Sequence, residues 1–346
     1  MGLQIAWFII IAFFWTGFFI LEGFDLGVGT LHMLVGRTDV ERRVAINSIG
    51  PFWDGNEVWL IVAGAGMFAA FPAWYASMFS ALYLALMLIL LALIVRGVSF
   101  EYRGKFTRTG WRATWDWTLT IGSALLPLLL GIGLGDLVHG LPINQAGTFT
   151  GSFLDLLTPY GIWFGITLLV LTLAHGAMYL SLKTTGSVQG RSARLAGPFA
   201  WLAVPVVAGF AIWTQVQSGR GVIPAPLEVG AFLLMVAAAW AIRDGHPAWG
   251  FAATTAGIAA VMASFWVALY PNVMVSSTNP AYNLTVANSA SSHYALTLMT
   301  IVAGVFTPLI LAYQGWSYHV FRARITAPAA TAPAASQPEP AATDAG

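Results

Sequence analysis

Nine stretches of the chain are apolar over the length needed to cross a bilayer, at about residues 5–33, 55–71, 75–95, 115–138, 159–182, 198–216, 227–242, 247–270 and 295–321. A hydrocarbon core roughly 30 Å thick takes about 20 helical residues. Backbone groups placed there must bond to one another, because no water reaches them. The runs are therefore expected to be the helices of an all-α integral membrane protein. Nine spans would form two four-helix bundles, helices 1 to 4 and 6 to 9, plus one extra helix, the fifth, joining them. The second and seventh runs are short, so eight spans is the alternative. Composition agrees, since 58% of 346 residues are hydrophobic and 8% charged, outside the range of soluble domains. The first run is too long for the apolar part of a signal peptide and has no basic segment before it, so it is expected to remain as a span.

Charge placement orients these spans. With the N-terminus outside, the inward segments hold Arg37, Arg42, Arg43, Arg96, Arg103, Lys105, Arg108, Arg112, Lys183, Arg191, Arg194, Arg243, Arg322 and Arg324. Only Arg220 lies outside, and this excess of cations on one side predicts an N-out, C-in topology. The outward loops at 139–158 and 271–294 are almost uncharged and too short to be separate domains, so function is expected in or between the helices. Residues 1–325 read as one polytopic membrane domain. Residues 326–346, rich in Ala and Pro, read as a disordered cytoplasmic tail. With no cysteine, disulfides, thiolate zinc sites, iron–sulfur clusters and thiolate-attached haem are excluded. No nucleic-acid partner is expected.

The densest polar cluster at the mouth of an apolar run is Trp53-Asp54-Gly55-Asn56-Glu57-Val58-Trp59-Leu60. Asp54 and Glu57 have the spacing of a capping box, and they also suit a proton or ion path at a membrane boundary. Both readings stand at this point. In the first run, Glu22 and Asp25 share one helix face at i, i+3 and lie inside hydrocarbon depth. A charge left against lipid there costs about 3 kcal/mol or more, so these acids must face protein or water, or be protonated. Gly23 and Gly27 form a small-xxx-small pair that suits close helix packing.

Asp116 begins the fourth run, and all of these acids lie toward the inner side, an arrangement that suits proton uptake from the cytoplasm. Arg96, at the inner end of the third span, is the nearest counter-ion. Arg103, Lys105, Arg108 and Arg112 read as anchors that snorkel to the interface. Of the histidines, His175 is the best placed within a span, His32 and His319 sit near helix ends, and His139, His246 and His293 fall in loops or turns. A lone helical histidine is more often a packed residue than a ligand, so no metal site and no catalytic residue are expected in this chain.

These motifs resemble subunit II of the cytochrome bd-type quinol oxidases. The resemblance rests on Glu22-Gly23-Phe24-Asp25, Glu41-Arg42-Arg43, the Trp53–Leu60 block, Trp111-Arg112 with Trp115-Asp116-Trp117, and Gly140-Leu141-Pro142. It implies a multi-pass subunit of a bacterial cytoplasmic membrane oxidase that couples quinol oxidation to reduction of oxygen to water. The implied partner is a homologous subunit I holding two b haems and one d haem, with small single-helix accessory subunits and with lipid. A structural quinone or lipid on this chain is also implied. Residue by residue, Glu22, Asp25, Asp54, Glu101 and Asp116 match acidic positions of the family and Arg96 a basic one. Position 57 is Glu or Gln in the family, so its carboxylate is not essential. The rival reading is a proton-coupled secondary transporter, since paired acids beside short helices also mark that class.

Overall fold

A computed structural model describes residues 1–219 and 225–326. The Arg220 position and the 327–346 part of the tail lie outside the described residues. Eleven α-helices follow in order: α1 (Gly2–Val35), α2 (Asp39–Ile49), α3 (Trp53–Ala70), α4 (Pro72–Ala81), α5 (Tyr83–Tyr102), α6 (Thr109–His139), α7 (Pro159–Lys183), α8 (Gly186–Gln217), α9 (Pro226–Arg243), α10 (Pro247–Leu269) and α11 (His293–Val320). Among the described residues, eight of them, α1 and α5 to α11, are long and apolar enough to cross a membrane. The apolar run at 55–71 becomes α3, which at 18 residues spans about 27 Å and carries Asp54, Asn56 and Glu57 in its first turns. Those polar residues keep it from qualifying as a ninth. The run at 75–95 does not start one continuous helix either: the chain breaks at Leu82, giving the short α4 and then α5.

Prolines and caps set many of the boundaries. Pro72, Pro159, Pro226 and Pro247 sit in the first turns of α4, α7, α9 and α10, where the missing N–H would have had no helical partner. Thr158 caps α7 by accepting from Gly161 N at 3.0 Å. At the start of α2, Thr38 Oγ1 accepts from Glu41 N at 3.3 Å while Glu41 Oε2 accepts from Thr38 N at 3.1 Å, which is a capping box. The box expected at Asp54 and Glu57 is not made. Phe52 is the N-cap of α3 and no side chain caps it, because Asp54 points out and Glu57 turns toward α5.

One group of helices is α1, α3, α5 and α6; a second is α7, α8, α9 and α10; α7 joins them by packing on both α1 and α6. The fifth apolar run, α7, lies at the junction of the two groups, packing on α1 and α6 on one side and on α8 and α10 on the other, and α11 is the helix that stands apart, against α1 and α3. Glycines make the joints. A Cβ on Gly27 would lie 2.0 Å from Thr172 O, one on Gly176 2.6 Å from Gly27 Cα, one on Gly131 2.5 Å from Gly165 Cα and one on Gly135 2.6 Å from Gly161 Cα. In lipid, where helices gain little from hydrophobic burial, this close backbone approach is what holds them together.

The two nearly uncharged loops cap one end of the bundle jointly. Leu141 N donates to Val275 O at 3.0 Å and Ser277 N to Leu141 O at 3.0 Å, while β1 (Asn272–Met274) pairs antiparallel with β2 (Leu284–Thr285) inside the second loop. The opposite, Arg-rich end is tied by the segment after α11. Ile325 N donates to Lys183 O at 2.8 Å and Thr185 N to Ile325 O at 3.2 Å, fastening residues beyond α11 to the turn between α7 and α8.

Candidate functional site

Near the Arg-rich end, four helices bring their polar side chains to one point. Arg96 of α5 is fully buried. Its Nη2 lies 2.6 Å from Glu22 Oε1 of α1, and its Nη1 donates to Glu57 Oε1 of α3. The guanidinium also sits over the Phe100 ring at 5.3 Å and the Trp53 ring at 6.0 Å, and those two rings stack at 4.6 Å. Trp53 therefore serves as a lid on the cation. Asp25, one turn beyond Glu22, accepts from Asn56 Nδ2 at 2.6 Å. Asn56 Oδ1 in turn accepts from Gln314 Nε2 at 2.7 Å and from Tyr318 Oη at 2.9 Å, both on α11.

Glu22, Asp25, Asn56 and Arg96 are all fully enclosed, and Glu57 keeps 20% of its side chain exposed. Three carboxyls thus face one guanidinium. Burying unpaired charge is costly, so such a set is sensitive to protons in a way that a matched pair is not.

Asp116 belongs to a separate cluster. It accepts from Arg103 Nε at 2.5 Å, Arg42 Nη1 at 2.8 Å and His32 Nε2 at 3.2 Å, and Arg103 also reaches Asp39 at 2.9 Å, as does Arg112. Arg103 and Arg112 are therefore ion-pair partners of buried or half-buried acids and not free interface anchors. His32 lies seven residues beyond Asp25 on α1, about 10 Å along the axis, so the two clusters are neighbours without contact. Glu41 lies in α2, outside the spans, and Arg191 and Ser187 at the start of α8 bond its carboxylate and hold its pKa down to about 2. Asp54 and Gly55 are exposed at the start of α3, and Glu101 is exposed in the last turn of α5. Trp59 is buried and donates from Nε1 to Gln314 Oε1 at 3.3 Å. Gly27 lies at the α1–α7 crossing, whereas a Cβ on Gly23 would meet Thr172 Cγ2 at an ordinary 3.5 Å.

Sequence reasoning passed over several buried polar residues. Asp136, near the other end of α6, accepts from Thr158 Oγ1 at 2.6 Å. Glu228 accepts from Gln215 Nε2 at 2.6 Å and Ser264 Oγ at 2.8 Å. Their signal was available, since each is an acid inside or beside an apolar run.

Neither histidine inside the bundle suits a haem iron. His175 is buried with Nδ1 2.7 Å from Thr254 Oγ1 and Nε2 3.2 Å from Ile20 O, and its ring stacks on Phe251 at 4.4 Å. His32 likewise has both nitrogens engaged, by Gly29 O at 2.7 Å and by Asp116. Among the described residues no group of three or more ligating side chains converges on a metal position.

Fold and site together define a multi-pass helical membrane subunit with an acid cluster walled in between helices. The sequence profile of "Cytochrome bd terminal oxidase subunit II" matches residues 3–321. A "Cytochrome bd ubiquinol oxidase subunit 2" of Bacillus subtilis (strain 168) is 41% identical over 329 residues, covering 94% of this chain and 97% of that protein. The "Cytochrome bd-I ubiquinol oxidase subunit 2" of Escherichia coli (strain K12) is 35% identical over 361 residues, covering 94% and 95%. The bd oxidase structure from Geobacillus thermodenitrificans shares the fold, with a TM-score of 0.65 at 17% identity over 92% of this chain and 99% of that one. The chain belongs to the cytochrome bd terminal oxidase subunit II family. It is a subunit of a quinol oxidase complex, and the transporter alternative has no support beside a match of this extent.

Proposed function

We propose that this subunit takes protons from the Arg-rich side of the membrane and delivers them between the helices toward a haem-bearing subunit I. The observation that supports this reading is a gradient of enclosure. Asp54 is exposed, Glu57 is partly exposed three residues on, and Glu22 and Asp25 are sealed beyond it around Arg96. Carboxyls that outnumber their counter-charge can accept and release protons at low cost, whereas Asp116, held by two arginines and a histidine, serves as a clamp.

On the N-out, C-in orientation, the Arg-rich end faces the cytoplasm of a bacterium. The haems, carried by subunit I when the complex is assembled, supply the electron transfer that reduces oxygen. This chain's own part is to hold and pass protons and to dock the partner. The exposed apolar length of α11, in which Leu296 is the one buried residue, is the face we assign to that docking.

A cavity of about 600 Å³ opens between α3 and α5, lined by Leu60, Phe68, Leu86, Leu90 and Leu129 among others. Its apolar walls suit the tail of a lipid or a quinone.

The test is Asp25→Asn and Glu22→Gln in the purified complex. Quinol-driven oxygen consumption should fall about tenfold or more, a barrier rise of about 1.4 kcal/mol, with the haem spectrum unchanged. Wild-type turnover in both assembled variants refutes the proton role.

A further inference from the structure

We propose that Gln314 and Tyr318 are positioning residues that fix which end of the Asn56 amide faces Asp25, so that the Asp25 carboxyl is always met by a donor. The inference rests on the proton-delivery reading, which gives Asp25 its importance, but its geometry stands independently. The Trp59 indole has a hydrogen to give and nothing to accept with, so the atom of Gln314 that faces it at 3.3 Å is Oε1. Gln314 must then turn Nε2 to Asn56 Oδ1, 2.7 Å away. Tyr318 adds a second donor to the same oxygen at 2.9 Å.

With its oxygen occupied, Asn56 presents its NH2 group to the other side. There it meets the Leu21 carbonyl at 3.3 Å, which can only accept, and Asp25 Oδ2 at 2.6 Å. A donor-only group at one end and an acceptor-only group at the other leave the chain of amides a single polarity. An amide does not ionise in this range, so Asn56 orients Asp25 and does not relay through it. The charged and titratable groups around Asp25 are Glu22 on α1, Glu57 on α3, Arg96 on α5, Tyr179 on α7 and Tyr318 on α11.

The arrangement also explains the place of α11. It is the least buried spanning helix of the eight, yet near its end it sends two side chains inward to the acid cluster. Tyr318 is held for this task by stacking on Phe52 at 4.4 Å.

The experiment compares Tyr318→Phe, which keeps the stacked ring, and Gln314→Leu, which removes both the acceptor and the donor of the side-chain amide, in the assembled complex. Two quantities are read: the pH profile of quinol-driven oxygen consumption, and the infrared bands of the Asp25 carboxyl, assigned by their loss in Asp25→Asn. Each variant should displace those bands. Each should also move the profile toward higher pH by about half a unit, because a donor that can swing away no longer favours the charged carboxylate. In an Asn56→Ala background Gln314→Leu should move neither quantity further, since it acts through Asn56.

Unmoved bands in both single variants with normal haem content overturn the inference. So does an undiminished effect of Gln314→Leu without Asn56. Displaced bands with an unchanged pH profile leave the orientation standing and refute the proton-delivery reading instead. Should Gln314→Leu fail to assemble, Tyr318→Phe carries the test alone.

Discussion

Arg103 and Asp116 meet across the turn between α5 and α6 with Nε 2.5 Å from Oδ1, and both side chains are almost entirely withdrawn from solvent. The same guanidinium reaches Asp39 of α2 at 2.9 Å, so one side chain staples three helices. Without Arg103, Asp116 keeps Arg42 and His32 and Asp39 keeps Arg43 and Arg112, so the loss is of the link between helices and falls below the about 3–5 kcal/mol of a buried charge left wholly unpaired. Arg103→Ala should therefore lower the melting temperature of the purified complex. Arg103→Lys should restore little of it, since a single ammonium cannot bridge two carboxylates as the planar fork does. An Arg103→Ala complex that melts with the wild type would show that the staple carries no weight.

The glycine crossing of α1 and α7 gives a second test. A methyl group at Gly176 would fall 2.6 Å from the Gly27 backbone, and neither backbone can yield without moving its helix. Gly176→Ala should cost about 1–3 kcal/mol, read as lost thermal stability or lost assembly. Gly23→Ala, which meets only a methyl group at 3.5 Å, should be tolerated. Equal stability of the two variants would contradict this account of the joint.

Glu41 supplies a pH dependence outside the membrane. Its carboxyl is lowered from 4.5 to about 2 by Arg191 and Ser187. A depressed folded-state value means that the contact stabilises above the unfolded value of 4.5 and is lost as pH falls toward 2. The melting-temperature gap between wild type and Glu41→Gln should be constant near neutrality and close progressively below about pH 4.5. A gap that stays unchanged down the acid range would sink the assignment.

Topology can be checked directly. Reporter fusions after Gly186 should report the cytoplasm and fusions after Gly147 the outside, as the distribution of lysine and arginine requires. The reverse pattern would place the exposed Asp54 on the wrong side for cytoplasmic protons.

Much of this architecture can be read in the chain because lipid imposes few options. Apolar runs mark the helices, and Glu22 and Asp25 share a face simply by being three residues apart. What a linear reading misses are contacts set by tertiary approach. Arg103 and Arg112 look like interface anchors until α2 folds beneath them and brings Asp39 within reach. Asp54 and Glu57 carry the spacing of a cap, yet the Glu57 carboxylate accepts from the Arg96 guanidinium of α5 and α3 begins with no side-chain cap. Gln314 and Tyr318 stand in an apolar run some 260 residues from Asn56, and nothing in their own neighbourhood announces the junction they complete.

That junction has a place in time as well as in space. A ribosome makes the chain from its N-terminus, so Asp25 and Asn56 enter the membrane long before residues 314 and 318 exist. Until the last helix arrives, the Asn56 amide is free to turn. A truncated or stalled chain would hold its acids without the groups that orient them, and only the finished polypeptide, with Ile325 fastened at the turn after Lys183, has the inner surface of the subunit in working order.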